Sequence, residues 1–205
     1  MNAAMGAVAR TTSGEPRLEA SEESKFLLGS GAASVYSDFG GFRAWLKEAD
    51  KTKNTSTAIA ILSHHDGGSL YFSKDGARLT AETLARQSFA RPSMAILCSC
   101  STLAVGADAI VRNLNAGGVE TIIATNSQVS GSLAGDFLAC LVEELEKAAP
   151  SPITASDLFY RAQRCTWKRP KDAADPGSPS KYGAQVLSFS LAGNPSLSLC
   201  TPGST

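Results

Sequence analysis

Three short apolar runs decide what this chain can fold into. TAIAILS (57–63), MAILCSC (94–100) and TIIATN (121–126) are largely apolar and contain neither Gly nor Pro, and the first is too short for a helix with its flanking residues. Runs of this kind read as strands buried on both faces. The segments between and after them carry helical spacing instead. Asp38–Asp50 puts Phe39, Phe42, Trp45, Leu46 and Ala49 on one face, with Asp38 as N-cap. Thr80 caps a helix running to about Gln87, and 107–116 forms a helix that stops at Gly117-Gly118. Residues 131–148 place Leu133, Phe137, Leu141, Leu145 and Ala148 on one side; a further helix over about 154–168 carries Leu158, Phe159, Ala162 and Cys165. SLYFSKDGARLT reads as a hairpin around a Lys-Asp-Gly turn, KRPKDAADPGSPSK (168–181) as a loop, and AQVLSFSL as a closing strand. Apolar strands alternating with helices predict an α/β sandwich: a mostly parallel central sheet flanked by helices.

Composition bounds the functional classes. With 205 residues, 43% hydrophobic and 19% charged, the chain suits one globular domain. Lys+Arg and Asp+Glu are both 19, so no broad basic field attracts nucleic acid or an anionic membrane. No apolar run approaches the roughly 20 residues that span a bilayer. Five cysteines without a framework spacing predict free thiols and a reducing, cytoplasmic setting. Residues 1–25, rich in Ala, Ser, Thr, Glu and Gly, are expected as a flexible tail; the folded domain spans 26–200, and 201–205 form a short C-terminal tail.

Ligands of such sheets gather beyond the carboxyl ends of strands. Two strand ends here are chemically loaded: HHDGG after the first run and CSCST at the end of the second. If these strands are parallel neighbours, the clusters share one crevice. A free thiol, with a pKa near ~8.5, is mostly protonated at neutral pH, and an adjacent imidazole can take its proton. A glycine-rich turn admits a substrate backbone, and exposed N–H groups there can hold an oxyanion. His64–Gly68 and Cys98–Thr102 contain each of these parts.

These segments resemble a known family. ILSHHDGGSLYFSKDG is similar to the histidine segment of caspases and their CHAT-domain relatives, where a buried strand ends in Ser/Thr-His-Gly. MAILCSCST resembles the cysteine segment. FLLGSGAASVYSDFGGFRAWL resembles the approach to the histidine strand, AIVRNLNAGGVETIIATNSQV the helix, turn and strand after the cysteine, and VLSFSLAGNPSLSL the C-terminal closure of CHAT domains. The resemblance covers roughly 27–200, with five segments in the family's order.

It implies a caspase–haemoglobinase-like sandwich and peptide-bond hydrolysis by a cysteine endopeptidase, without metal or organic cofactor. The implied nucleophile is Cys100, which is followed by Ser-Thr; Cys98, two residues earlier, is expected by period two to point to the same side, where it either lines the pocket or only fills space. Aligning Ser63-His64 with the family's Ser/Thr-His makes His64 the base, an alignment that Asp66, Gly67 and Gly68 favour. Aligning from the apolar strand makes His65 the base. The backbone at His65 and Cys100, with Gly67 beside them, is implied to bind the oxyanion. Metacaspase-like relatives carry an Asp at the position of Cys98 to hold a basic substrate side chain, so that route to Arg/Lys specificity is missing. Asp66, Asp75 and Asp108 read as solvated turn or helix-start carboxylates. The implied partners are a protein or peptide substrate and an activating sensor or partner protein, with no nucleic acid and no membrane.

Three other readings compete. His64, His65, Cys98 and Cys100 are four zinc-ligand types, but Cys-x-Cys within a strand is a poor metal knuckle. A non-catalytic caspase-like module that binds a partner would share the fold. A nucleotide-binding domain lacks a G-x-G-x-x-G or P-loop after any strand.

Overall fold

The structure, a computed structural model, describes residues 4–9, 34–36, 40–41, 43–44, 46, 57–71, 78–89, 93–171, 177 and 179–199. Its strands are β1 (Ala4–Ala9), β2 (Ser34–Tyr36), β3 (Thr57–Leu62), β4 (His64–His65), β5 (Ser69–Tyr71), β6 (Arg78–Thr80), β7 (Ser93–Cys98), β8 (Val119–Thr125), β9 (Ile153–Thr154), β10 (Phe189–Gly193) and β11 (Ser198–Leu199). Its helices are α1 (Ala81–Leu84), α2 (Ala109–Ala116), α3 (Gly131–Ala148) and α4 (Ala155–Trp167). Within the expected 38–50 helix, the described residues Gly40, Gly41, Arg43, Ala44 and Leu46 are helical, and Leu46 is buried.

The central sheet has the order β10-β8-β7-β3-β1-β2. All its pairings are parallel except β10 with β8. The three apolar runs therefore stand side by side in its middle, as β3, β7 and β8. Period-two alternation splits their side chains between two cores. Met94, Ile96 and Cys98 face the side covered by α3 and α4. Ala95 and Leu97 face the other side, with Leu84, Ile110 and Leu114. This is the mostly parallel sheet between helical layers that the sequence predicts.

Local chemistry sets the helix boundaries. Thr80 accepts the Thr83 N–H, Ser130 the Leu133 N–H and Thr154 the Asp157 N–H, so α1, α3 and α4 start on hydroxyl caps, while Asp108 makes no side-chain cap bond to α2. The α2 helix ends at Gly117, and Gly118 turns the chain with φ +109°. There a Cβ would stand 2.6 Å from the Phe89 carbonyl oxygen, so only glycine fits without rearrangement. The small sheet β4-β5-β6 contains the predicted hairpin, whose turn at 72–77, including Asp75, lies outside the described residues.

Three features differ from the sequence reading. Residues 4–9, expected within a flexible tail, form β1 between β3 and β2. AMGAVA has one β-branched residue, so nothing local marks it as a strand; its partners do. The remainder of 1–25, and 201–205, lie outside the described residues. The closing strand begins only at Phe189, because 183–188 wind into a 3-10 helix. That turn buries Val186 and leaves Leu187 62% exposed, whereas strand alternation would put Leu187 on the face of the buried Phe189. Finally, Cys140 and Cys165 are joined in a disulfide, so the expectation of free thiols holds for Cys98 and Cys100 but not for this pair. Helix spacing alone could not reveal that α3 and α4 pack with these cysteines opposed. No helix among the described residues is long and apolar enough to cross a membrane.

Candidate active site

The parallel pairing of β3 with β7 matches Leu62 to Cys98, so both loaded segments leave the sheet at the same edge. Beyond it, Ser63 Oγ lies 2.8 Å from Ser99 Oγ, tying the two chain segments together. The next contact joins the predicted site residues: His65 Nδ1 lies 2.9 Å from the Cys100 carbonyl oxygen. A carbonyl only accepts, so the ring donates from Nδ1. In the neutral imidazole this leaves the lone pair on Nε2. That nitrogen is buried and has no hydrogen-bond partner among the described residues. His64 precedes it in β4, its backbone paired with Tyr71; its side chain lies outside the described residues.

Cys100 stands two residues past the end of β7, on a turn instead of within the strand. It is partly exposed, and its thiol donates a long contact of 3.5 Å to the Val129 carbonyl. The next residue, Ser101, has φ +55°, a left-handed conformation uncommon without glycine. Such a residue persists only where its surroundings over-determine it. Here the end of β8 does so. Ser101 N–H donates to the Ser127 carbonyl (3.0 Å) and Leu103 N–H to the Thr125 carbonyl (2.7 Å). Thr125 N–H donates to Thr102 Oγ1 at 3.1 Å, and the Thr125 hydroxyl donates to the Ser99 carbonyl. Thr102 and Thr125 are both fully buried. The cysteine turn is thus clamped on both sides of Cys100, and the Cys100 N–H itself has no partner among the described residues.

The histidine turn is held from below. Asp66 accepts Tyr71 O–H at 2.5 Å, Ser69 N–H at 3.1 Å and Gly68 N–H at 3.4 Å. The Tyr71 hydroxyl, opposed by slight burial and helped by the two backbone donors and His65, holds the Asp66 carboxyl below its ordinary 3.8. Gly67, at φ +93°, makes the reversal that returns the chain to β5 and stands opposite Ala107. Asp108 pairs with Arg112 at 3.4 Å, an exposed helix-start contact.

Cys98 belongs to the core: it is 3% exposed, and burial pushes its thiol up to about 12. The period-two expectation that it shares a side with Cys100 does not apply, because Cys100 has left the strand. Among the described residues, one cluster has metal-ligand spacing: Cys140, Glu143 and Cys165, with donor atoms within 4.8 Å of one another. Two of those donors are disulfide sulfurs and the third is held by Arg169 at 2.7 Å, so the set does not suit a cation. Sequence reasoning missed the supporting roles of Ser99, Tyr71, Thr125 and Val129. Their hydroxyls and carbonyls have no motif; only the fold brings them to the two turns.

No protein-family model and no curated protein matches this sequence. Solved structures do match in fold. The Arg specific cysteine proteinase gingipain R superposes with a TM-score of 0.65 at 13% identity, covering 98% of this chain and 48% of that one. The chain thus spans about half the length of gingipain R. Caspase-1 from Spodoptera frugiperda superposes with a TM-score of 0.54 at 12% identity, covering 99% of this chain and 89% of that one. At such identities the likeness concerns architecture, and that architecture is the caspase–haemoglobinase-like fold.

Proposed function

We propose that this chain is a cysteine endopeptidase of the caspase-like kind, with Cys100 as nucleophile and His65 as its base. The observation that carries the reading is the hydrogen bond from His65 Nδ1 to the Cys100 carbonyl, which leaves a buried, unpartnered Nε2 beside the cysteine turn. An imidazole with its proton fixed on one nitrogen is a ready base at the other. The order of the five segments further favours the CHAT-domain branch, and the fold is one that gingipain R and an insect caspase use.

In the proposed reaction the thiol leaves its Val129 contact by a side-chain rotation and passes its proton to His65 Nε2. The thiolate attacks the scissile carbonyl. The Cys100 N–H, with backbone donors of the His65–Gly67 turn, holds the oxyanion. His65 then protonates the leaving amine, and water releases the acyl group. The clamped turn keeps this geometry ready before substrate arrives. The substrate is a protein or peptide held in extended form across the crevice. An activating sensor or partner protein belongs to the same reading.

Profiling a peptide library with the wild type and Cys100→Ala tests this. Cleavage by the wild type that disappears in a folded Cys100→Ala variant is the expected result. Undiminished cleavage by the variant overturns the assignment of the nucleophile. A wild type that cleaves nothing, with Cys100 no more reactive than an unfolded cysteine, favours the non-catalytic interaction module instead.

A further inference from the structure

The Cys140–Cys165 disulfide has one sealed end and one open end. Cys140 is fully buried in the core between α3 and the sheet. Cys165 is partly exposed and lines a cavity of about 440 Å³ on the outer side of α3 and α4. The cavity walls hold five cationic side chains, Lys147, Arg161, Arg164, Lys168 and Arg169, against the two carboxylates Glu143 and Glu144. Both carboxylates are already engaged. Glu143 pairs with Arg169 at 2.7 Å, and Glu144 with Lys147 at 2.8 Å. Arg161, Arg164 and Lys168 have no carboxylate partner among the described residues. Cationic side chains outnumber carboxylates in this lining, so the field is positive beside the partly exposed Cys165 end of the disulfide.

We propose that Cys165 is a thiol-exchange site for a small anionic thiol, docked by its carboxylates in this cationic cavity. The thiolate attacks Cys165 Sγ, since the sulfur of Cys140 offers no approach. A new sulfur–sulfur bond forms between the incoming thiol and Cys165 as the Cys140–Cys165 bond breaks. The electron pair of the broken bond leaves on Cys140 Sγ as a thiolate. Arg169 stands ready for that charge, with its Nη2 3.7 Å from Cys140 Sγ. A leaving thiolate stabilised by a guanidinium departs faster. The Glu143 carboxylate, 3.8 Å from Cys165 Sγ, opposes an incoming anion, but its pairing with Arg169 offsets this. A second thiolate attacking the adduct on the external sulfur frees Cys165, so the pair reaches the dithiol state with the external thiol as reductant. The site uses no group of the Cys100 crevice.

The test uses the full chain isolated without reductant, treated with reduced glutathione or with the neutral thiol 2-mercaptoethanol, at matched thiolate concentrations. Adducts are located by peptide mass spectrometry. The expected result is a mixed disulfide on Cys165, forming about tenfold or more faster with glutathione at low salt, an advantage that shrinks as salt screens the cavity. Arg164→Glu with Lys168→Glu, both exposed and remote from the core, should abolish the advantage while the disulfide persists. Arg169→Gln should slow exchange with both thiols. Three outcomes overturn the proposal: equal rates for the two thiols, an adduct on Cys140 in place of Cys165, or a starting protein in which Cys140 and Cys165 are not bonded.

Discussion

Cys98 and Cys100 show how two residues of displacement change the chemistry of one side chain type. Cys98 closes β7 inside the core, where burial pushes its thiol up to about 12. Cys100 lies on the turn beyond, partly exposed. A brief treatment of the native protein with iodoacetamide at neutral pH should therefore label Cys100 and leave Cys98 untouched until the protein unfolds. Peptide mapping reads both. The proposal also separates the two histidines. His65→Ala should lower turnover by about 10²–10⁴-fold, the usual worth of a positioned base, while His64→Ala should leave most of it; the reverse ranking would reassign the base. Asp66 brings a pH signature. Its folded value lies below the ordinary 3.8, so its contribution to stability is present above that value and is lost as pH falls through the lower, folded one. Melting curves should show wild type more stable than Asp66→Asn near neutrality, with the difference disappearing in acid below 3.8. The adjacency of the two segments was legible in the sequence because HHDGG and CSCST end two apolar runs. The choice between His64 and His65 was not. Both histidines follow the same apolar run, and no local signal in the sequence announces that His65 Nδ1 meets the Cys100 carbonyl.

At the scale of elements, α3 and β10 are joined by an aromatic contact. Phe137 and Phe189 stack with centroids 3.8 Å apart, and both are buried. Phe137→Ala should cost about 3–5 kcal/mol, read as a loss of unfolding free energy in urea. The other end of β10 depends on Gly193. Its φ is +92°, and a Cβ there would stand 2.0 Å from the Glu120 carbonyl oxygen. Gly193→Ala must push two backbones apart, and the expected outcome is a clearly lowered melting temperature or loss of soluble protein. Helices α3 and α4 could be read from spacing alone, and the structure adds hydroxyl caps at Ser130 and Thr154. The 3-10 turn at 183–188 could not: VLSFSL alternates like a strand, and the chain turns because Gly183 takes φ +52° and its N–H finds Ser180 Oγ. Strand β1 was hidden for the opposite reason, since a small-residue segment acquires strand character only from the neighbours that pair with it.

For the molecule as a whole, the order β10-β8-β7-β3-β1-β2 places β3, β7 and β8 together. The strand that leads to the histidines, the strand that leads to Cys100 and the strand whose end clamps the cysteine turn are thus consecutive neighbours. Continuous apolar runs separated by helices imply such a parallel core, which is why the fold class could be read before any coordinates. The sequence carried no equivalent signal for the clamp, because Thr125 and Thr102 meet only through the β7–β8 pairing and the turn beyond it. The proposed activity requires covalent chemistry at one sulfur. Rapid acid quench of the protein during cleavage of a peptide ester, followed by mass spectrometry of the Cys100 peptide, observes that chemistry directly. An acyl group in thioester linkage to Cys100, absent from Cys100→Ser and not accumulating on any other residue, is the predicted result. Peptide cleavage at full rate with no acyl group on that cysteine would contradict it.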